Sequence, residues 1–224
     1  LIHGGVANET KVHIKSIHSE EITRENAKDK LAGLDGILVA PGFGNRGVEG
    51  KINAVEYARV NKIPFMGICL GMQCAVVEFA RNVLGYADAH SREMNSDTKH
   101  PVIDIMAEQK NIVNMGGTMR LGAYPCRVSE DSNLYKAYGE TMISERHRHR
   151  YEFNNEYLEE FKKHGMKVTG INPDTNLVEV VEVEDHPWYV ASQYHPEYKS
   201  TVAKPHPMFV GFVKAMLEYN KINN

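Results

Sequence analysis

A short apolar segment followed by a glycine-flanked cysteine constrains the fold of this chain more than any other feature. Residues 63–68 are almost entirely apolar and too short for a helix, so they predict a buried strand. In residues 72–81 the apolar side chains recur at helical spacing, which predicts a helix. Between the two, Gly67, Cys69 and Gly71 form a Gly-x-Cys-x-Gly pattern. This pattern is typical of a nucleophile elbow, a sharp strand-to-helix turn that presents a reactive side chain.

The predicted turn would favour a reactive thiol at Cys69. A free cysteine titrates near pH 8.5, so only about 3% of it is thiolate at pH 7. The N-terminus of a helix points N–H groups and partial positive charge at the sulfur, and both stabilise the thiolate. The alternative is that Cys69 is a small, unreactive side chain of the core, which is common for an unpaired cysteine.

The overall composition predicts one globular domain over residues 1–224. Apolar residues make up 42% of the chain and charged residues 25%, which is ordinary for a protein with a sizeable core. The net charge of −3 gives no sign of a nucleic-acid or membrane partner, and no apolar run reaches the ~18 residues of a membrane span. Three cysteines, at positions 69, 74 and 126, lack the spacing of a disulfide framework or a metal site. We therefore expect a reducing, cytoplasmic environment.

Strands and helices alternate along the chain and predict an α/β fold. The expected architecture is a doubly wound, mostly parallel central sheet with flanking helices and additional antiparallel strands, and its active site would lie at the carboxyl ends of the strands. Gly4 predicts the C-terminal cap of a helix. Because the chain starts at Leu1 and not at methionine, we expect it to begin inside a larger protein. The predicted strands are residues 11–17, 36–40, 63–68, 101–106, 166–171, 177–183 and 188–194, and the predicted helices are residues 49–61, 72–85, 131–138, 154–164 and 207–220.

The segment His195-Pro196-Glu197 supplies the partners that a thiolate nucleophile needs. Pro196 favours extended geometry for the residue before it, and side chains two positions apart in an extended chain point the same way. Glu197 could therefore accept a hydrogen bond from the far imidazole nitrogen of His195 and orient it. The pair follows the predicted strand 188–194, at the edge where an α/β active site lies. With Cys69, it predicts a Cys-His-Glu triad for acyl transfer.

The glycine-rich turn after the strand 36–40 allows two readings. In the first, the backbone N–H groups of Gly42 and Leu70 form an oxyanion hole, where the loss of one donor costs on the order of 3 kcal/mol. In the second, residues 42–47 are the G-x-G-x-x-G fingerprint of a dinucleotide site. That site requires an acidic residue about 20 positions later, where this chain has Asn61 and Lys62. The sequence therefore favours the oxyanion hole, and it contains no P-loop for ATP.

The run of arginine and histidine at residues 146–150 could indicate a nucleic-acid patch. It is short and flanked by Glu145 and Glu152, and the global charge does not support it. A solvated or anion-holding strand is the favoured interpretation. Cys74 and Cys126 are predicted to be core residues.

Two motifs, Gly-Ile-Cys-Leu-Gly-Met-Gln at residues 67–73 and Gln-Tyr-His-Pro-Glu at residues 193–197, resemble those of the class-I glutamine amidotransferases. Within that family, further stretches are similar to the glutaminase domains of CTP synthases. The resemblance extends over essentially the whole chain. The stretches that support this narrower resemblance are residues 42–50, 116–123, 145–152 and 206–209.

The resemblance implies a specific activity and a specific setting. Glutamine would be hydrolysed through a glutamyl thioester, and the ammonia would pass to a synthetase domain of the same polypeptide, absent here, that aminates UTP to CTP. That domain would use ATP and Mg²⁺, GTP would act as an allosteric activator, and this chain itself would hold no cofactor. The full-length enzyme would be a homo-oligomer. The resemblance also implies that the synthetase domain and the first strand of the glutaminase domain precede Leu1.

The resemblance also implies roles for individual residues. Cys69 would be the nucleophile, His195 the acid and base, and Glu197 the group that orients His195. Arg46 and Arg120 would belong to a lid linked to GTP, with Arg120 inside the stretch 116–123. The implied glutamine-binding positions are Gly42, Leu70, Gly71, Met72, Gln73, Glu93 and Arg150.

Two other functions stay open at this point. One is a different cysteine hydrolase on the same scaffold, such as a γ-glutamyl hydrolase, and the other is a non-catalytic nucleotide-binding or regulatory module. The stretches 116–123 and 145–152 argue against the first, because a stand-alone hydrolase needs no GTP-responsive lid. The set of Cys69, His195 and Glu197 argues against the second.

Overall fold

The structure, a computed structural model, describes residues 1–105 and 119–223 of the chain. Short 3₁₀ turns cover Ser19–Glu21, Asn155–Tyr157 and Pro196–Lys199. The helices are α1 (Ile2–Ala7), α2 (Ala27–Leu31), α3 (Val48–Val60), α4 (Leu70–Asn82), α5 (Asn133–Tyr138), α6 (Leu158–Lys163) and α7 (Pro207–Asn223). The strands are β1 (Ile37–Val39), β2 (Phe65–Ile68), β3 (His90–Ser91), β4 (Pro101–Ile105), β5 (Arg120–Val128), β6 (Met142–His149), β7 (Tyr151–Phe153), β8 (Met166–Ile171), β9 (Val178–Val183) and β10 (Tyr189–Ser192).

Seven of the described strands form one mixed sheet in the order β1-β2-β10-β9-β8-β5-β6. The strands β1, β2 and β10 are mutually parallel, and every other pair in this sheet is antiparallel. The α/β fold class is confirmed, although parallel pairing is less extensive than expected. A parallel pair needs a long crossover such as α3 between β1 and β2, whereas β8 and β9 are joined by a short turn and can only pair antiparallel.

Apolar side chains of the sheet pack on both of its faces. Along β2, Phe65 belongs to the core that α3 and α4 cover, while Met66 and Ile68 belong to the core that α5 and α7 cover. A strand buried on both faces reads as a continuous apolar run, which is the pattern that predicted it. The strand β2 therefore lies between two helical layers. Residues that follow its carboxyl end can reach the surface of the sheet edge.

Residues 11–17 do not form the predicted strand. They run as irregular chain beside β1, and a groove of about 660 Å³ separates the two segments. A strand needs a backbone partner within hydrogen-bonding distance, and the groove removes it. Ile14, which should have pointed inward, is 56% exposed.

Gly4 is also not a helix cap. It lies inside α1, where a Cβ atom would collide with the backbone carbonyl of Phe209 in α7, and the helix ends at Asn8 instead. The glycine is therefore needed for close helix packing and not for a left-handed turn.

The other predicted elements are present with small shifts of their ends. A second sheet, in the order β3-β4-β7, includes the short strand β3 between α4 and β4, which was not predicted. The strand β5 begins at Arg120, inside the stretch 116–123 that we expected to be a lid loop, and residues 116–118 lie outside the described residues. No helix in the described ranges is both long and apolar enough to cross a membrane.

Candidate active site

Cys69 lies at the junction of β2 and α4 with a backbone conformation that L-amino acids rarely adopt. Its φ is 52° and its ψ is −102°, and its N–H donates a 2.8 Å hydrogen bond to the carbonyl of Ser192 at the end of β10. Residues held in such a conformation cluster at functional sites and cost of order 1–3 kcal/mol. The predicted elbow is therefore present in the structure.

The two flanking glycines allow the chain to turn this sharply. A Cβ atom on Gly67 would lie within 3 Å of the backbone of Gly71, and one on Gly71 would collide with the carbonyl oxygen of Val39 in β1. The first turn of α4 thus packs directly on two strand ends. As a result, the sulfur of Cys69 lies at the carboxyl edge of the parallel strands.

His195 and Glu197 are in direct contact. The Nδ1 atom of His195 lies 2.6 Å from Oε1 of Glu197, and the backbone N–H of His195 donates to the carbonyl of Arg146 in β6. The route differs from the expected one, because β10 ends at Ser192 and Glu197 sits on the 3₁₀ turn Pro196–Lys199 instead of an extended segment. The turn brings the carboxylate back to the imidazole, so the contact forms by a different backbone path.

The surroundings of His195 favour its protonated form. Burial alone would lower its pKa, but the nearby Cys69 sulfur and the Glu197 carboxylate raise the pKa of His195 to about 9. Its Nε2 atom is buried and has no hydrogen-bond partner among the described residues. Catalytic hydrogen bonds are often long before substrate binds, so this nitrogen can serve as the proton donor and acceptor for Cys69.

Two neighbours of the triad were not identified from the sequence. The ring of Tyr198 stacks on His195 with centroids 4.9 Å apart and planes 10° apart. The amide of Gln193 lies 3.6 Å from the sulfur of Cys69. Gln193 could have been found by the alternation rule, since it lies two positions before His195, but the Tyr198 contact depends on the 3₁₀ turn.

The glycine turn borders the same edge. A Cβ atom on Gly42 would lie 3.2 Å from the side chain of Leu70, so the two residues predicted to form the oxyanion hole are neighbours. The N–H of Gly44 donates a 3.5 Å hydrogen bond to Glu93, which places this predicted glutamine-binding residue beside the turn. The turn itself is exposed, and Phe43 is 89% accessible to solvent.

The remaining predicted glutamine-binding residues differ in burial and in their place in the fold. Gln73 is buried and its Nε2 donates to the carbonyl of Tyr151 and to Oε1 of Gln193, which leaves its Oε1 for a ligand. Met72 is fully buried in the core. Arg150 lies at the bend between β6 and β7. The binding roles of these residues stay predictions.

The two arginines of the predicted GTP-linked lid lie in different environments. Arg46 is a surface residue, 3.2 Å from Glu20. Arg120 is buried, 3.1 Å from Glu152 and 2.7 Å from Glu179, with its guanidinium 4.5 Å from the ring centre of Tyr124. Their link to GTP stays a prediction.

Exposed and buried side chains alternate along β6, and the sequence did not reveal which residues are buried. The arginines at positions 146 and 148 face solvent, whereas Glu145, His147 and His149 face the interior of the sheet. Burial and the Arg120 charge lower the pKa of His147 to about 2 and of His149 to about 3, so both are neutral. Burial also raises the pKa of Glu152 to about 8, against the opposing effect of Arg120. One face of β6 is therefore solvated, and the other face belongs to a buried polar cluster.

Cys74 and Cys126 are core residues, as predicted. They are 2% and 0% exposed, and burial raises the pKa of Cys74 to about 12 and that of Cys126 further. A buried thiol that stays protonated is a poor nucleophile. Cys69, at the elbow, is thus the thiol placed for chemistry.

Comparison with known proteins agrees with this geometry. The family model described as class-I glutamine amidotransferase matches residues 1–215. The chain belongs to the class-I glutamine amidotransferase family. Among solved structures, this amidotransferase chain is similar to the glutaminase domain of Trypanosoma brucei CTPS with bound acivicin, with 39% identity and a TM-score of 0.91, over 96% of this chain and 84% of that one.

Curated amidotransferase relatives are similar over almost the whole chain. The CTP synthases of Flavobacterium johnsoniae and Clostridium beijerinckii are 61% and 62% identical to it over 221 residues. Each match covers 99% of this chain and 41% of the relative. The amidotransferase chain therefore spans about two fifths of the length of these curated relatives.

Proposed function

We propose that this chain is the glutaminase part of a glutamine-hydrolysing CTP synthase. The observation that carries the proposal is the junction of β2 and β10, where the Cys69 elbow meets a histidine held by a carboxylate at 2.6 Å. This is the arrangement that acyl transfer from an amide requires. The similarity to CTP synthases over 99% of the chain supports glutamine as the amide and argues against a stand-alone γ-glutamyl hydrolase.

The first half of the reaction forms the thioester. The Cys69 thiolate attacks the side-chain amide carbon of glutamine, and the carbonyl oxygen becomes an oxyanion with the N–H groups of Gly42 and Leu70 as its donors. The C–N bond then breaks while protonated His195 gives its Nε2 proton to the departing nitrogen. Ammonia leaves, and a glutamyl thioester and a neutral imidazole remain.

The second half hydrolyses the thioester. Neutral His195 takes a proton from water, whose oxygen attacks the thioester carbon. The C–S bond breaks, and glutamate and the thiolate–imidazolium pair are formed again. Glu197 holds the imidazole in one orientation through both halves, so the same Nε2 gives and takes the proton.

The wider setting of this activity is also a proposal. In it, the ammonia serves an ATP- and Mg²⁺-dependent amination of UTP in the part of the relatives' length that this chain does not span. GTP would activate the glutaminase through the region of Arg46 and Arg120, and the whole enzyme would be a cytoplasmic homo-oligomer. The resemblance of the stretches 116–123 and 145–152 to CTP synthases supports this setting.

The test uses ammonia release from glutamine in the intact protein. We expect Cys69→Ala to reduce the release to background without loss of the folded state, because it removes the nucleophile. The matched control is Cys126→Ala, which removes a buried thiol and should retain activity within about threefold. A glutamine-mimicking diazo-ketone should label Cys69 alone. Ammonia release by Cys69→Ala, or labelling at Cys74 or Cys126 instead, would contradict the proposal.

A further inference from the structure

The side chain of Gln193 is placed against the reacting sulfur. Gln193 directly follows β10 and is fully buried, and its backbone N–H donates a 2.8 Å hydrogen bond to the carbonyl of Glu179 in β9. Its Nε2 lies 3.6 Å from the sulfur of Cys69, a normal distance for an N–H group and sulfur. The amide is therefore held by the sheet on one side and reaches the nucleophile on the other.

The hydrogen-bond network decides which end of this amide faces the sulfur. The carbonyl of Tyr151 can only accept, so the group of Gln73 that lies 3.0 Å from it must be the NH₂ group. The same NH₂ group lies 3.2 Å from Gln193, so the Gln193 atom that faces it must be the carbonyl oxygen. The NH₂ group of Gln193 is then the end that points at Cys69. One backbone carbonyl thus orients two glutamine amides in series.

We propose that Gln193 is a further catalytic residue, which donates an N–H hydrogen bond to the Cys69 thiolate and fixes its direction of attack. The proposal rests on the proposed function, in which Cys69 is the nucleophile. Hydrogen bonds to a charged acceptor are stronger than those to a neutral one, so the donor favours thiolate over thiol. The buried setting strengthens that preference, because no solvent competes for the amide.

The carboxamide also does something that His195 cannot do. His195 gives up its proton when ammonia leaves and regains one only when water attacks, so its positive charge near the sulfur comes and goes during the reaction. The amide of Gln193 does not titrate and keeps its N–H in place through both halves of the reaction. It therefore stabilises the sulfur again when the C–S bond of the thioester breaks. Gln193 holds the sulfur, whereas His195 moves the proton.

The experiment measures the alkylation rate of Cys69 by iodoacetamide as a function of pH, with mass spectrometry to assign the site, in the intact protein. Gln193→Leu removes the donor, and Gln193→Glu replaces the nitrogen by oxygen while it keeps an acceptor for Gln73. We expect the pH midpoint of alkylation to rise by about one unit in Gln193→Leu and by more in Gln193→Glu, whose carboxylate also repels the thiolate, and kcat for ammonia release to fall at least about tenfold in both. Thermal unfolding establishes that each variant is folded.

The matched control is Ser192→Ala. Its hydroxyl donates to the carbonyl of Tyr194 at 3.1 Å, so its loss removes a buried hydrogen bond next to Gln193 and leaves the Gln193 amide in place. We expect an unchanged pH midpoint in this variant. Gln73→Leu, which removes the group that orients the amide, should move the midpoint in the same direction by a smaller amount.

The outcomes separate this proposal from the proposed function. If folded Gln193→Leu and Gln193→Glu alkylate with the wild-type pH midpoint while Cys69→Ala releases no ammonia, Gln193 does not act on the sulfur and the glutaminase assignment stands. If Cys69→Ala still releases ammonia, the function itself is wrong. If Ser192→Ala moves the midpoint as far as the Gln193 variants do, the shift reflects packing and the proposal fails.

Discussion

The two sides of the candidate site are built in opposite ways. On one side, backbone hydrogen bonds of 2.8 Å tie Cys69 to the end of β10 and His195 to the middle of β6, and both side chains are buried. On the other side, the turn that contains Gly42 is exposed, and Gly44 contacts Glu93 through a single hydrogen bond of 3.5 Å.

This difference separates two parts of the chemistry. The groups that create and stabilise the nucleophile are held before substrate arrives, which lowers the cost of reaching the reactive geometry. The predicted oxyanion donor Gly42 lies on an exposed segment, so moving it disturbs less packing than moving the buried side does. We therefore expect substitutions on the first side to change catalysis far more than comparable ones on the second.

The largest expected effect comes from Glu197→Gln. Loss of the carboxylate removes one of the two interactions that raise the pKa of His195 to about 9, so the imidazolium is lost at lower pH. We expect kcat/KM for glutamine to fall about 10³-fold, and the alkaline limb of its pH profile, near pH 9 in the wild type, to move down. Glu156→Gln, the same change at an exposed position, should leave both quantities unchanged. An unmoved alkaline limb in Glu197→Gln would mean that the carboxylate does not act on His195.

The same pKa has a consequence for stability. It lies above the value of about 6.5 that histidine has in an unfolded chain, so the folded state binds the proton more tightly. This contribution to the free energy of unfolding is fully present below about pH 6.5 and is lost as the pH rises through about 9. Urea unfolding at both ends of that range should show a smaller loss in Glu197→Gln than in the wild type.

A pair of glycine-to-alanine changes compares the two sides directly. Gly71→Ala places a Cβ atom against the carbonyl of Val39, which is backbone and cannot move aside. We expect the free energy of unfolding to fall by about 3 kcal/mol and kcat/KM by about 10²-fold. Gly44→Ala meets no atom within 4 Å and only strains a φ of 70°, which should cost about 1 kcal/mol and less than about tenfold in kcat/KM. Equal effects in chemical denaturation and steady-state kinetics would contradict the contrast.

The smallest expected effect is that of Tyr198→Leu. Its ring covers one face of the His195 imidazole, and an aromatic face stabilises a nearby cation by about 0.5–1 kcal/mol at a partly exposed site. We expect the alkaline limb of kcat/KM to move down by less than about one pH unit, with a two- to fivefold loss of kcat. Tyr198→Phe keeps the ring and should behave as the wild type. A loss in Tyr198→Phe as large as in Tyr198→Leu would assign the effect to the hydroxyl instead.

The parts of the fold that were predictable from the sequence are those fixed by local rules. The elbow was predictable because Gly67 and Gly71 are the residues that a close backbone approach demands. The sequence predicted that His195 and Glu197 would be in contact, but it did not predict the 3₁₀ turn that brings them together. The strands β1 and β2 were found from continuous apolar runs, which is how doubly buried strands read.

The parts that could not be predicted depend on distant partners. Residues 11–17 have the alternation of a strand, but a strand exists only with a neighbour, and the groove beside β1 separates them from it. In β6, charged and polar residues occupy both faces, so alternation could not reveal that Glu145, His147 and His149 face inward. The distinction requires Arg120 and Glu179, which come from β5 and β9.

The backbone of Cys69 bears on how this position can change over evolutionary time. A residue with a φ of 52° and a ψ of −102° would be relaxed as glycine, so Cys69→Gly would remove strain as well as the thiol. Selection for a stable fold and selection for a nucleophile thus favour different residues here. A lineage that no longer used the thiol would gain stability by losing the cysteine.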